Sequence, residues 1–300
     1  MYHEIADDND DIEAWTVVLK RNFVRQMEYL SEYFNIISLQ DALNQIKRPF
    51  TNEGGKPSVV ITFDDGYSGN YRVLLPVVKS MNMPVTIFVA TRAVEDGKLY
   101  WYDRLINALQ QSTQVELNLN NLKLGNYRIN YRKGAENWGE IERLLSDLKK
   151  LPPNIRENVA EKMLKSLNGK QKGSVYALSP LSIQQLDELA KCPLITIGAH
   201  SHCHNILVQL EDEEIIKSVK TSKQLLELWL RRPVHYFAYP NGNYNDKVVG
   251  ALKEVGFECA FTTVAKPWDN RELLFTIPRI GVGRYDSFDA FKIKVSGGLA

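Results

Sequence analysis

The sequence predicts an α/β fold built on a mostly parallel sheet, open or closed into a barrel, and three observations carry that expectation. Residues 58–63 (SVVITF) form a short β-branched run between Gly-Gly-Lys-Pro and Asp-Asp-Gly, which reads as a buried strand bounded by turns. Over residues 71–81, Val73, Leu74, Val77 and Val78 recur at helical spacing. Residues 84–90 (PVTIFVA) then resume a strand pattern and complete a β-α-β unit. Repeated units of this kind imply function at the C-terminal ends of the strands.

The remaining elements follow the same rhythm. Residues 194–199, 236–239, 258–262 and 276–282 are short strand candidates. Helical stretches lie between them at 212–230 and 246–255, the second closed by Gly256 as a C-cap. The stretch from about 100 to 180 breaks the alternation. It holds an alternating segment at 115–131 and amphipathic helices at 138–151 and 155–167, so it reads as an inserted helical/β subdomain within one domain spanning 1–300. Ser182 followed by Gln185 predicts a capping box opening the next helix. The Tyr100-Trp101-Tyr102 cluster reads as packing rather than a ligand platform.

Composition bounds the function. With 44% hydrophobic and 24% charged residues, 18 Gly and 12 Pro among 300, the chain is globular rather than disordered, collagen-like or coiled-coil. Lys and Arg (37) nearly balance Asp and Glu (36), so no global field exists to capture nucleic acid or an anionic membrane. Three cysteines, Cys192, Cys203 and Cys259, are too few and too scattered for a disulfide framework and suggest a reducing compartment. The acidic start Met1-Tyr-His-Glu-Ile-Ala-Asp-Asp lacks the basic and apolar segments of a secretory signal, which makes a cytoplasmic protein the expectation. No apolar run approaches the roughly 20 residues that span a bilayer. The oligomeric state is not legible.

Three segments can carry chemistry. At Thr62-Phe63-Asp64-Asp65-Gly66-Tyr67 two adjacent carboxylates follow a strand. Neighbouring side chains of a strand point to opposite faces, so both serve one site only if the chain bends there. One carboxylate could then bind a metal while the other stays free as a base; the plain alternative is an Asx-turn with two solvated acids. Gly198-Ala199-His200-Ser201-His202-Cys203-His204 holds three of the five histidines. His200 and His204 can converge if the residues between them turn, and with one carboxylate they would form an open catalytic metal site. A closed structural zinc site would instead recruit Cys203 or His202 as a fourth ligand. Phe237-Ala238-Tyr239-Pro240-Asn241-Gly242-Asn243-Tyr244 is a strand running into a Pro/Gly turn that can present a backbone N–H to an oxyanion, or simply join a strand to a helix.

The ordered set Thr62-Phe63-Asp64-Asp65-Gly66, His200-Ser201-x-x-His204 and Phe237-Ala238-Tyr239-Pro240-x-Gly242 resembles the polysaccharide deacetylases of the NodB-homology group, carbohydrate esterase family 4. Met1-Tyr-His, residues 23–43, the insertion and Ile277-Pro278-Arg279-Ile280 are similar to a bacterial subgroup. The resemblance implies a distorted (β/α) barrel and hydrolysis of an N-acetyl, or by variation N-formyl, group from an amino sugar of a glycan or glycan precursor. It implies Asp65, His200 and His204 as ligands of a divalent metal and Asp64 as base. Zinc is the default ion, with cobalt, nickel, manganese or iron also suited to two imidazoles and a carboxylate. The oxyanion would rest in part on the Tyr239 N–H.

The sequence departs from the family where a late histidine serves as general acid, since no histidine follows His235. Of His3, His202 and His235, His3 is the candidate acid. Of Arg231, Arg232 and Arg279, Arg279 is the candidate to hold Asp64. The expected partner is an N-acetylated carbohydrate, in the cytoplasm or as a lipid-linked glycan at the inner membrane face. The alternatives are a catalytically inactive carbohydrate-binding homologue and another metal-dependent ester hydrolase; no Gly-rich lysine loop supports phosphoryl chemistry.

Overall fold

The computed structural model describes residues 1–10, 13–46, 55–110, 112, 114–130, 135–167, 178–268 and 273–298. Gly54, Tyr131 and residues 168–177 of the expected insertion lie outside them. Five parallel strands form a curled sheet in the order Cys259–Phe261, Tyr236–Ala238, Ile195–Ala199, Val85–Val89 and Ile61–Phe63. All but one of their residues are buried, the mark of a parallel sheet covered on both faces. Helices Leu75–Met81, Ile183–Ala190, Asp212–Leu230 and Asp246–Val255 connect or cover them. Their apolar residues, among them Val78, Leu186, Val219 and Leu252, join Ile87, Ile197 and Phe237 in the main core.

Local chemistry sets the boundaries. The Ser182 hydroxyl accepts from the Gln185 N–H while the Gln185 side chain accepts from the Ser182 N–H, which makes the capping box reciprocal. Asn245 caps the helix at Asp246 through the Val248 N–H, and Gly256 ends it at φ 87°. The helix expected over 71–81 begins instead with a π-helical turn, Asn70–Leu74. Pro76 has no N–H to give Arg72, so the ordinary α ladder cannot run through the junction. Residues 276–282 also depart from expectation: only Ile277 bridges to Phe261, and Pro278 halts the ladder.

The sheet's two outer strands are joined by irregular chain rather than by a sixth strand. Tyr2 bridges to Phe63, with its N–H on Thr62 O (2.8 Å) and its carbonyl accepting from the Asp64 N–H (2.9 Å). The Val282 N–H donates to Met1 O (3.0 Å), so residues 1–3 and 277–282 lie side by side across the gap.

Within 100–180 the chain forms helix Trp101–Gln110, an antiparallel hairpin (Gln114–Asn118 with Asn126–Asn130) and helices Ala135–Lys149 and Pro153–Ser166. These elements bury their own cluster, including Leu105, Ile129, Ile141, Leu144 and Leu148, which extends to Val17 and Tyr67 of the main body. Three hydrogen bonds reach outward from this stretch to Asn205 and Gln209. Arg156, 1% exposed, donates to Asn205 Oδ1 (2.9 Å) and Gln209 Oε1 (3.4 Å). The Lys149 carbonyl accepts from Gln209 Nε2 (2.7 Å). The loop that follows His204 is therefore fastened to helices of this stretch.

Candidate metal centre and active site

Asp64 and Asp65 leave the strand Ile61–Phe63 at the C-terminal edge of the sheet. Asp65 takes φ 76° and Gly66 φ 78°, so the chain bends between the carboxylates and both line the same cavity. A Cβ at Gly66 would press on Val89 at 3.0 Å, so the second left-handed position requires glycine. Ser201 (φ 64°) and His204 (φ 54°) make the turn that brings His204 back beside His200, and Asn241 (φ 58°) turns the third loop. Left-handed backbone at a non-glycine residue costs free energy, and here it gathers where three loops meet one site.

The three expected ligands converge. One ligand atom from each of Asp65, His200 and His204 lies within 4.8 Å of the others. His200 Nε2 is 3.3 Å and His204 Nε2 3.0 Å from Asp65 Oδ1, an oxygen that is buried without a hydrogen-bond partner among the described residues. His200 Nδ1 lies 2.7 Å from the Ala238 carbonyl, which can only accept, so the proton resides there and Nε2 presents a lone pair to the carboxylate. With both imidazoles neutral, lone pairs face one buried anionic oxygen and repel unless a proton or a metal ion sits among them. Burial opposes a charge there, but Asp64 and Asp65 raise the affinity of His200 for a cation of either kind. The donor set therefore fits a divalent metal, and Ala238 plays the outer partner that fixes the imidazole tautomer. Burial lowers the affinity of His204 for protons, which favours the neutral form that a metal ligand needs.

Tyr100 and Tyr102 support this centre, which a reading of packing alone missed. Their rings stack at 5.2 Å and both lean on the His204 ring. Tyr100 donates to Asp65 O (2.7 Å) and Tyr102 to Asp65 Oδ2 (3.3 Å). Tyr102→Phe removes the second of these bonds, together with the one between Tyr102 and Tyr67, and is expected to weaken metal affinity about 10- to 100-fold. Competition with a fluorescent chelator would measure it; an affinity equal to wild type would make Tyr102 a packing residue only.

Asp64 is gripped by Arg279. The guanidinium donates from two nitrogens to the two carboxylate oxygens, each at 2.7 Å, and a third nitrogen donates to Thr262 O at 2.9 Å. Burial alone would push the Asp64 carboxyl upward; Arg279, with His200 and His3, reverses this and holds it below the usual range. Asp64 is thus ionised in a buried site while retaining lone pairs toward the cavity. Arg231 and Arg232 are exposed at the end of helix Asp212–Leu230.

The other sequence candidates separate clearly. His3 lines the cavity against the edge of Trp15, with its buried Nδ1 unpartnered among the described residues. Burial lowers its pKa, while Asp65 and Asp64 pull it the other way. His202 turns to Thr91 and His235 to Glu258. Cys203 faces Arg92, so the fourth-ligand reading of Cys203 or His202 loses its geometry. Tyr239 requires a correction: its N–H donates to Phe261 O at 3.0 Å, its hydroxyl donates to Phe275 O, and the residue is fully buried. It cannot offer that N–H to an oxyanion. Asn241, two residues on, is the member of this turn that lines the cavity.

The cavity measures about 430 Å³ and combines these polar groups with Trp15, Ile106, Trp138 and Leu145. Among the described residues, no helix is long and apolar enough to cross a membrane.

Comparison with known proteins agrees with this architecture. The family model described as "Polysaccharide deacetylase" matches residues 51–138 and 154–260, more than half of the chain. A curated polysaccharide deacetylase homologue, YxkH of Bacillus subtilis (strain 168), is 33% identical over 98 residues, spanning 31% of this chain and only 32% of that relative. The Streptococcus pyogenes deacetylase PplD, solved with acetate, superposes with a TM-score of 0.63 at 17% identity, covering 98% of this chain and 95% of that one. IcaB from Ammonifex degensii gives 0.60 at 17% identity over 100% and 95% of the two chains. At such identities the structural likeness is one of fold, the curled sheet of carbohydrate esterase family 4. On the family match across most of its sheet and both loops that carry Asp65, His200 and His204, the chain belongs to the polysaccharide deacetylase family.

Proposed function

We propose that the protein is a metal-dependent hydrolase that removes an N-acetyl or N-formyl group from an amino sugar of a glycan or glycan precursor. One observation carries the reading: a buried Asp-His-His set and a separately clamped, ionised Asp64 open into the same cavity. Binding alone has no need of a second, freely ionised carboxylate beside the ligands.

When bound by Asp65, His200 and His204, a divalent cation supplies Lewis-acid polarisation of an amide carbonyl and makes water acidic enough to be deprotonated near neutrality. Zinc is the leading candidate by ligand type, with cobalt, nickel, manganese and iron as alternatives. Asp64 accepts the proton of the attacking water. Arg279 fixes the orientation of Asp64 through both oxygens, so its remaining lone pairs point into the cavity. His3 carries a proton to the departing amine, because an unprotonated amide nitrogen is a poor leaving group. Buried and neutral, His3 must first gain that proton, which the two neighbouring carboxylates favour. Asn241, on the left-handed turn of the third loop, lines the cavity where Tyr239 does not, with its side-chain amide held by Lys149 and Asn243.

The test is acetate release from an N-acetylated amino sugar by metal-loaded protein, with Asp64→Asn as the variant. The variant is expected to keep its metal and lose turnover by at least about 10²-fold. Equal release by both proteins removes Asp64 from the role of base. A protein that holds metal and binds sugar but hydrolyses no acylated sugar is the inactive binding homologue.

A further inference from the structure

Asp103 is a fully buried carboxyl group in the first turn of the helix Trp101–Gln110, and the chemistry proposed above makes no use of it. The Tyr67 hydroxyl lies 3.0 and 3.2 Å from its two oxygens, and Tyr67 is fully buried as well. Tyr67 is hydrogen-bonded in turn to Tyr102, whose hydroxyl reaches Asp65 Oδ2 at 3.3 Å. A continuous chain therefore runs from Asp103 through two tyrosines to one of the three expected metal ligands. Tyr102 and Asp103 are neighbours on the helix, and Asp65 and Tyr67 belong to one turn, so the chain ties helix to turn at both ends. The Tyr67 ring stands edge-on to Tyr100 at 6.0 Å, and the Tyr100 and Tyr102 rings stack, which leaves the hydroxyls little freedom.

The supply of hydrogens fixes the direction of the chain, because each tyrosine has one O–H to give. An ionised Asp103 only accepts. It takes the Tyr67 hydrogen, the bond between the tyrosines then takes that of Tyr102, and Asp65 Oδ2 is left without a donor from this chain. A protonated Asp103 donates to Tyr67, Tyr67 donates to Tyr102, and Tyr102 donates to Asp65 Oδ2. Only this second arrangement makes all three bonds. The surroundings favour it, since burial and the nearby carboxylates of Asp65 and Glu4 push the Asp103 carboxyl well above the usual range, against the opposing pull of the Tyr67 bond. With Oδ2 so occupied, Oδ1, the oxygen that His200 and His204 both face, is the one left for a cation.

We propose that Asp103 is a positioning residue of the metal centre: through Tyr67 it turns the Tyr102 hydroxyl toward Asp65 Oδ2 and so leaves Oδ1 to the cation. Supports of this kind, themselves locked by packing, hold a ligand in its productive orientation. The proposal rests on the Asp65, His200 and His204 centre of the deacylase reading and on nothing about the acyl group or the sugar.

The readout is zinc affinity of the full chain, measured by competition with a fluorescent chelator, so turnover is not needed. Asp103→Leu keeps a branched side chain but has no donor, and Tyr67→Phe interrupts the chain one step on. Each should weaken zinc binding about tenfold or more. Asp103→Asn restores a donor in its amide N–H and should bind zinc nearly as tightly as wild type. The same changes made in Tyr102→Phe separate positioning from a structural defect. With no Tyr102 hydroxyl to turn, Asp103→Leu and Tyr67→Phe should each cost less than about twofold further, whereas a structural defect would persist in full. Where Asp103→Leu fails to fold, Tyr67→Phe, which removes one oxygen and keeps the ring, carries the test. Zinc affinity unchanged in Tyr67→Phe, losses undiminished in the Tyr102→Phe background, or an Asp103→Asn as weak as Asp103→Leu each overturn the proposal while the metal centre stands. A wild-type protein that binds no zinc removes the centre, and the proposal with it.

Discussion

Asp65→Asn is expected to strip the protein of its divalent cation and to reduce acetate release by about 10³-fold or more. The magnitude follows from the several kcal/mol of transition-state stabilisation that a Lewis-acidic ion supplies, at about 1.4 kcal/mol per tenfold in rate. Asparagine tolerates the left-handed backbone at φ 76°, and the Tyr100 hydroxyl still finds the main-chain carbonyl, so the loop is preserved. What is lost is the one negative charge on which both imidazoles converge. Metal content by plasma emission spectrometry and acetate release by coupled assay would be read together. Chelation followed by re-addition of zinc should restore the wild type and leave the variant inactive. A variant with a full complement of metal and normal turnover would remove Asp65 from the coordination sphere, and the enzymatic account with it.

The second large effect is on stability. Arg279→Met leaves Asp64 as a buried carboxylate without its counter-ion, and truncating one partner of a buried pair typically costs about 3–5 kcal/mol. The side chains are 5% and 3% exposed, so solvent screens little of the interaction. Lysine is no substitute, because a single ammonium cannot meet both oxygens and the Thr262 carbonyl as the guanidinium does. The double variant Arg279→Met/Asp64→Asn should recover part of the loss, since no unpaired charge remains. Urea unfolding of the three variants would close the cycle. A single variant within about 1 kcal/mol of wild type would mean that water or another cation reaches Asp64 when Arg279 is gone.

How much of this was legible beforehand depends on whether a feature is written locally. The residue types at Asp64-Asp65 and His200-x-x-x-His204 sit at the ends of recognisable strands, so topology placed both at the sheet's C-terminal edge, while the choice of Asp65 as the carboxylate that joins the imidazoles came from the family resemblance. The bend that makes it possible was also foreseeable, because Gly66 follows Asp65. Tyr239 was misread because a strand's last ladder bond cannot be located to one residue in sequence. Phe261 takes the Tyr239 N–H, and the turn begins only at Pro240, itself buried, with the first exposed residue at Asn241. Tyr100 and Tyr102 looked like packing because nothing nearby in sequence announces Asp65 as their partner. The capping box at Ser182 and the helices at 212–230 and 246–255 were plain, being short-range patterns. The helix Ala135–Lys149 was plain too, yet periodicity reveals only that a helix has an apolar face, not that Trp138 and Lys149 of that face would border a cavity with His200.

The irregular joint between the outermost strands has a consequence for how this protein fails. His3 rides on residues 1–3 and Arg279 on residues 277–282, the two segments that lie against each other there in place of a regular ladder. Such a seam opens at lower free energy than the strands it connects. Under mild heat or denaturant the candidate proton donor His3 and the arginine that orients Asp64 would swing away together while the imidazole pair, rooted in the central strand, stays put, and the molecule would fall silent before it melts.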